Sequence, residues 1–122
     1  MDNNKIHYFD VEIANKLGVD CSIMLNHIIY WIATNDANTR NYINGRTWTY
    51  CSIVDFKQYF SYWSTSQIRR IINTLIKKEI LLVSNFNKHK YDRTNWYALN
   101  DEKYWLTNYN PIDKIDKWKN KY

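Results

Sequence analysis

Ser64-Thr65-Ser66-Gln67-Ile68-Arg69-Arg70-Ile71-Ile72-Asn73-Thr74-Leu75-Ile76-Lys77-Lys78 reads as an amphipathic helix. Ile68, Ile71, Ile72, Leu75 and Ile76 recur at i, i+3, i+4, i+7 and i+8, so a period of 3.6 residues places them in one apolar stripe. Ser64 and Gln67 have the spacing of a capping box, in which each side chain accepts a hydrogen bond from the other residue's backbone N–H. The face opposite the stripe carries Ser66, Arg70, Asn73 and Lys77, with Gln67, Arg69 and Thr74 at its flanks.

The neighbouring segments give this helix a setting. Just upstream, Ser52 with Asp55 resembles a second capping box, opening a helix over residues 52–60 with Ile53, Phe56 and Phe60 on one face. Only Ser61-Tyr62-Trp63-Ser64 separates the two helices, which is the spacing of a helix-turn-helix with Trp63 as its packing anchor. Further back, Asn44-Gly45 predicts a type I′ turn, because both residues tolerate positive φ, with strands at 40–43 and 46–50. Residues 21–34 are apolar nearly all round and read as a buried central helix capped by Asp20. A shorter helix capped by Asp10 ends at Leu17, before Gly18. Downstream, strands at 80–86 and 96–99 flank a polar loop at 87–95, and Asp101 opens a short helix to residue 106. The order helix, helix, hairpin, helix, helix, strand, loop, strand predicts a mainly α chain with a small β-sheet (α+β), a winged helix-turn-helix over residues 1–107. Residues 108–122 read as a Lys-rich tail broken by Pro111, in which Ile112, Ile115 and Trp118 recur every third position. That tail is either a frayed, partner-docking helix or a disordered end.

Composition narrows the function classes. The chain has 122 residues, 45% hydrophobic and 24% charged, enough for one core without disulfides or metals. It contains only two glycines, Gly18 and Gly45, too far apart to form a phosphate-cradling loop. Nucleotide-cofactor enzymes of the glycine-rich classes are thereby excluded. Cys21 and Cys51 form no metal-binding pattern with His7, His27 and His89, so they read as buried small hydrophobes in a reducing cytoplasm. The first five residues have no apolar leader, and no stretch approaches the ~18 apolar residues of a membrane span. Carboxylates do not pair for acid–base work and no Ser/His/Asp grouping occurs, so the chain reads as non-enzymatic, with no cofactor.

Charge is unevenly spread. Residues 1–60 carry five Lys/Arg against six Asp/Glu, and residues 61–99 carry seven against two. The net charge of +5 is thus concentrated around the amphipathic helix and the following loop. Those residue types suit duplex DNA: Arg bonds guanine in bidentate fashion, Asn and Gln bond adenine, and Lys and Ser anchor phosphate. The site expected is therefore Ser66, Gln67, Arg69, Arg70, Asn73 and Lys77 on a helix over 64–78 in the major groove. Lys88, Lys90 and Arg93 on the loop would meet the backbone. Gln67, Arg70 and Asn73 would set base preference, and Arg69, Lys77, Lys88, Lys90 and Arg93 would neutralise phosphates. The competing reading makes this face an ordinary solvated surface or a protein-docking module. Asp92-Arg93 reads either as an ion pair stiffening the loop or as an arginine free for phosphate. Tyr30, Trp31, Trp48, Tyr50, Trp63, Trp96 and Tyr97 read mostly as core rather than as a base-stacking surface, and His27 as a core histidine.

Three segments together resemble a known family. They are Leu25 with Tyr30-Trp31 and Asn44-Gly45-Arg46-Thr47-Trp48-Thr49-Tyr50, then Trp63-Ser64 through Ile68-Arg69-Arg70 with Leu75, Ile80 and Leu81, and lastly Tyr91-Asp92-Arg93-Thr94-Asn95-Trp96-Tyr97. Over about residues 13–99 the chain is similar to winged-helix replication initiation modules and replisome organisers of phages and plasmids of low-GC bacteria, the DnaD-like N-terminal domains. The resemblance implies DNA binding or self-association during replication initiation. Its partners would be double-stranded DNA, a second copy of the chain in a homodimer, and a replisome or helicase-loading protein, with no membrane. A small transcriptional regulator of a mobile element would carry the same residues. Glu79 stands where those proteins end the helix on Gly, so the exit turn is expected to differ.

Overall fold

A computed structural model describes residues 6–109. In chain order these form α1 (Val11–Leu17), α2 (Val19–Ala37), β1 (Tyr42–Ile43), β2 (Arg46–Thr47), β3 (Thr49–Cys51), α3 (Ile53–Tyr59), α4 (Thr65–Lys77), β4 (Leu81–Ser84), β5 (Asn95–Leu99) and α5 (Glu102–Asn108). Five helices and small antiparallel sheets make the fold α+β. Asn108 extends α5 beyond the expected tail boundary, and Tyr109 packs into the core. Ile112, Ile115 and Trp118 lie outside the described residues.

Local chemistry accounts for most element ends. Asp10 caps α1 by accepting from the Ile13 N–H at 3.2 Å, and Gly18 closes it at φ 91°, bonding back to Ala14. α2 starts at Val19 directly on Gly18, so Asp20 lies in its first turn rather than capping it. It also runs three residues beyond the expected end at Thr34. Two contacts accompany the added turn: the Asn35 amide reaches the Trp48 carbonyl at 2.9 Å, tying the helix end to the strand region, and Asn38 caps it locally by donating to the Thr34 carbonyl at 2.8 Å. Buried on both sides, α2 contributes Met24, Leu25, Ile28, Ile29 and Ile32 to the core at zero exposure. Each such side chain is worth about 1.5–3 kcal/mol of burial.

Asn44 and Gly45 have φ of 53° and 77°, as the type I′ turn requires. The strand expected over 46–50 is divided, however. Thr47 pairs with Tyr42 in the hairpin, whereas Thr49, Tyr50 and Cys51 pair with Tyr97, Trp96 and Asn95 of β5. Trp48 is the pivot, its indole N–H donating to the Ile43 carbonyl at 2.9 Å. β5 is the central strand of β3–β5–β4, with Leu81, Leu82, Val83 and Ser84 opposite Leu99, Ala98, Tyr97 and Trp96. Arg46 Nη1 joins hairpin and sheet by donating to the carbonyls of Leu99 (3.0 Å) and Asn100 (2.7 Å). The expected strands at 80–86 and 40–43 are shorter than predicted, because β-rich composition extends past the residues that find a partner strand.

The exit from α4 corrects the expectation drawn from Glu79. That residue takes the left-handed conformation usually reserved for glycine, at φ 59°. Ile80 N–H then bonds the Leu75 carbonyl at 3.0 Å and Glu79 N–H bonds Ile76 at 2.9 Å, the two bonds of a Schellman motif. Asn100 holds the turn from outside, its amide donating to the Glu79 carbonyl at 2.9 Å.

Candidate nucleic-acid interface

The N-terminus of α4 is set by the full capping box. Gln67 N–H donates to Ser64 Oγ at 3.1 Å, and Ser64 N–H donates to Gln67 Oε1 at 2.8 Å. The turn before it is held by two residues. Trp63, 5% exposed, stacks on Phe60 at 5.0 Å, and Lys57 Nζ donates to the carbonyls of both Ser61 and Trp63. Trp63 is legible in the sequence as an anchor. Lys57 is not, because a lysine on a helix ordinarily reads as a solvated charge.

Ile68, Ile71, Ile72 and Leu75 are buried, so α4 cannot rotate without exposing them. The opposite face is left to solvent. Ser66, Arg69, Arg70, Asn73 and Lys77, with Thr74, line one shallow groove of about 440 Å³ along the helix. Gln67 is exposed but does not join them, since its carbonyl oxygen is spent on the Ser64 N–H. Among the described residues the only ion pair joins Lys16 to Glu12 at 3.6 Å. Arg69, Arg70 and Lys77 are thus exposed cations with no carboxylate of the described residues within ion-pair distance.

The loop between β4 and β5 is shaped by Asn87. Its amide donates to the carbonyls of Asp92 (2.9 Å) and Thr94 (2.7 Å), while its oxygen accepts from the Trp96 indole at 2.8 Å. Phe86 closes the base of the loop, packing edge-on against Trp48 at 4.9 Å and Trp96 at 5.6 Å. Asp92 forms no ion pair with Arg93. Its carboxylate accepts the Thr94 N–H at 3.0 Å, and that bond, then the Thr94 hydroxyl, holds its pKa below the usual value. Lys88 and Lys90 are exposed at the centre of the loop. Arg93 is exposed too, but lines a separate crevice of about 260 Å³ with Cys51, Ser52, Ile53, Thr94, Asn95 and Tyr97. Five of the nine expected residues therefore share one groove. Gln67 is committed to the cap, and the three loop cations line other surface.

Cys21 and Cys51 are buried free thiols, the second with its pKa pushed up to about 12 by burial and then by Asp55. His27 is a core residue, 5% exposed. Trp31, Trp48, Trp63 and Tyr97 are likewise core, whereas Tyr50 is 58% exposed and corrects the core assignment made for it. Trp105 is half-buried against the core, beside the exposed Tyr104. Other exposed apolar side chains include Ile6, Tyr8, Phe9, Val11 and Val19. No helix among the described residues is long and apolar enough to cross a membrane. Comparison of the chain with protein-family models, with curated proteins and with solved structures finds no match.

Proposed function

We propose that the chain is a winged helix-turn-helix protein that binds double-stranded DNA, with α4 in the major groove and the β4–β5 loop as its wing. The observation that carries this reading is the solvent face of α4, where Arg69, Arg70, Asn73, Lys77 and Ser66 share one groove and the cations have no carboxylate partner among the described residues. Ion-paired arginines would have to break a bond to meet phosphate, and these do not. The element order supports the same reading: α2, β3, α3, α4, β4, loop, β5, with β5 between β3 and β4, is how a winged helix presents its third helix beside a hairpin. Arg70 and Asn73 are the base readers, and Arg69, Lys77, Lys88, Lys90 and Arg93 the phosphate contacts. Gln67 contributes through the cap that aims the helix.

A role in replication initiation on a phage or plasmid, with a replisome or helicase-loading protein as partner, rests on the resemblance of residues 13–99 to that family. Self-association as a homodimer rests on the same resemblance, with exposed apolar side chains such as Ile6, Tyr8, Phe9, Val11 and Val19 available to it. Fluorescence anisotropy of labelled duplex across a salt series tests the central reading. Each neutralised phosphate contributes about −0.9 to the slope of log K against log salt, so the five phosphate contacts set a ceiling of about −4.5. A slope of about −3 to −4.5 is the expected result. Absence of duplex binding at low salt would overturn the reading and make α4 a protein-docking face.

A further inference from the structure

A third concavity shares no lining residue with the α4 groove. It is a cleft of about 500 Å³ between α2, the turn at 38–41, β3 and α3. Its walls are aromatic. Tyr59 meets Trp31 edge-on at 5.2 Å, Tyr30 is half-buried, and Tyr50 is supported from behind by Trp96 at 4.7 Å yet remains 58% exposed. The indole N–H of Trp31, in that wall, is buried with no acceptor among the described residues. Around the opening stand Arg40, Asn41, Asp55 and Gln58, whose side chains make no hydrogen bond or ion pair with any described residue.

The turn that carries Arg40 is strained and over-determined. Thr39 and Asn41 on either side have φ of 52° and 58°, a left-handed conformation that asparagine tolerates but that strains the β-branched threonine. Arg40 N–H is bonded to the Asn35 carbonyl at 2.8 Å, and Trp48 N–H to the Asn41 carbonyl at 3.0 Å. The backbone is thus pinned with the guanidinium at the mouth of the cleft.

We infer that this cleft binds a nucleotide, its heterocycle against the Tyr50 and Tyr59 rings and its phosphate on Arg40. Aromatic walls alone would accept any apolar group. An aliphatic or lipid occupant, however, would offer no partner to the polar groups of Asp55, Gln58 and Asn41 around the opening or to the buried Trp31 N–H. A base edge offers N–H donors to the carboxylate and both donors and acceptors to the amides, and the attached phosphate matches the unpaired cation. The volume lies in the range of small-ligand sites. The nucleotide can come as a free mononucleotide or as an unpaired residue of a nucleic-acid strand.

The test is an NMR titration of the ¹⁵N-labelled full chain with guanosine monophosphate, guanosine and a short single-stranded oligodeoxynucleotide. Saturable shifts confined to the residues lining the cleft are expected. The monophosphate should bind about tenfold more tightly than guanosine, and Arg40→Ala should erase that difference while Arg69→Ala leaves it intact. Gln58→Ala, at an exposed position, should weaken both ligands severalfold without altering the fold. Tighter binding of the oligonucleotide than of the monophosphate identifies a strand as the source, and equal binding identifies the free nucleotide. Absence of saturable shifts at millimolar ligand, or shifts on the α4 groove that Arg69→Ala abolishes, would overturn the proposal. Duplex binding is read separately on α4, so either conclusion can fail alone.

Discussion

His27 should make the fold acid-sensitive by an amount the structure allows to be worked out. The imidazole lies on α2 among His7 (4.5 Å), Phe60 (4.9 Å) and Trp31 (5.8 Å), and its Nδ1 has no hydrogen-bond partner. Burial, and then the neighbouring His7, lower its pKa from 6.5 to about 4. The folded state thus disfavours the protonated ring, whereas the unfolded chain takes up the proton near pH 6.5. Stability from this group is fully present above pH 6.5 and is lost as pH falls toward about 4, below which both states are protonated. At about 1.4 kcal/mol per pH unit, the window removes about 3 kcal/mol, a large share of a small domain's stability. Urea unfolding followed by tryptophan fluorescence should show it in the wild type and not in His27→Gln, compared at about pH 7.5 and about pH 4.5. Carboxylates common to both chains cancel in the difference. Losses that agree within about 0.5 kcal/mol, or a His27 ring that titrates above pH 6 by NMR, would refute the reasoning.

Other outcomes follow from single contacts. Glu79→Gly should stabilise the fold by about 0.5–1 kcal/mol, because relief of left-handed strain exceeds the added freedom of glycine in the unfolded chain; thermal melts read it directly. Asn87→Ala should leave the core intact but strip hydrogen-exchange protection from residues 88–94, since the Thr94 carbonyl and the Trp96 indole lose their partner and the Asp92 carbonyl keeps only the longer bond from Asn85. Arg70→Ala should cost about 1–3 kcal/mol of duplex affinity and relax preference at one base pair, and unchanged binding would remove α4 from the recognition role. Lys88→Ala should instead weaken all duplexes alike and lower the salt slope by about 1.

Sequence alone was sufficient wherever a feature depends on residues a few positions apart. The stripe Ile68, Ile71, Ile72 and Leu75, the Ser64–Gln67 box, the Asp10 cap and the Asn44-Gly45 turn are all local, and each is found where its spacing placed it. The exposed cations of α4 followed at once, because burying one face of a helix dictates the other. Tertiary structure decided what local pattern leaves degenerate. Residues 46–50 are equally good strand along their length, and only the position of β5 made Trp48 a pivot between two sheets. Glu79 has no intrinsic preference for the left-handed turn it occupies; the demand comes from the path into β4 and the bond from Asn100. Tyr50 and Tyr97 look alike in sequence, but their opposite sides of the pleat leave one in solvent and bury the other. Arg40, Asp55 and Gln58 lie on separate elements, and no spacing rule connects them. They meet around one cleft because α2, β3 and α3 share a core whose packing fixes their distances, and that packing depends on contacts between residues far apart in the chain.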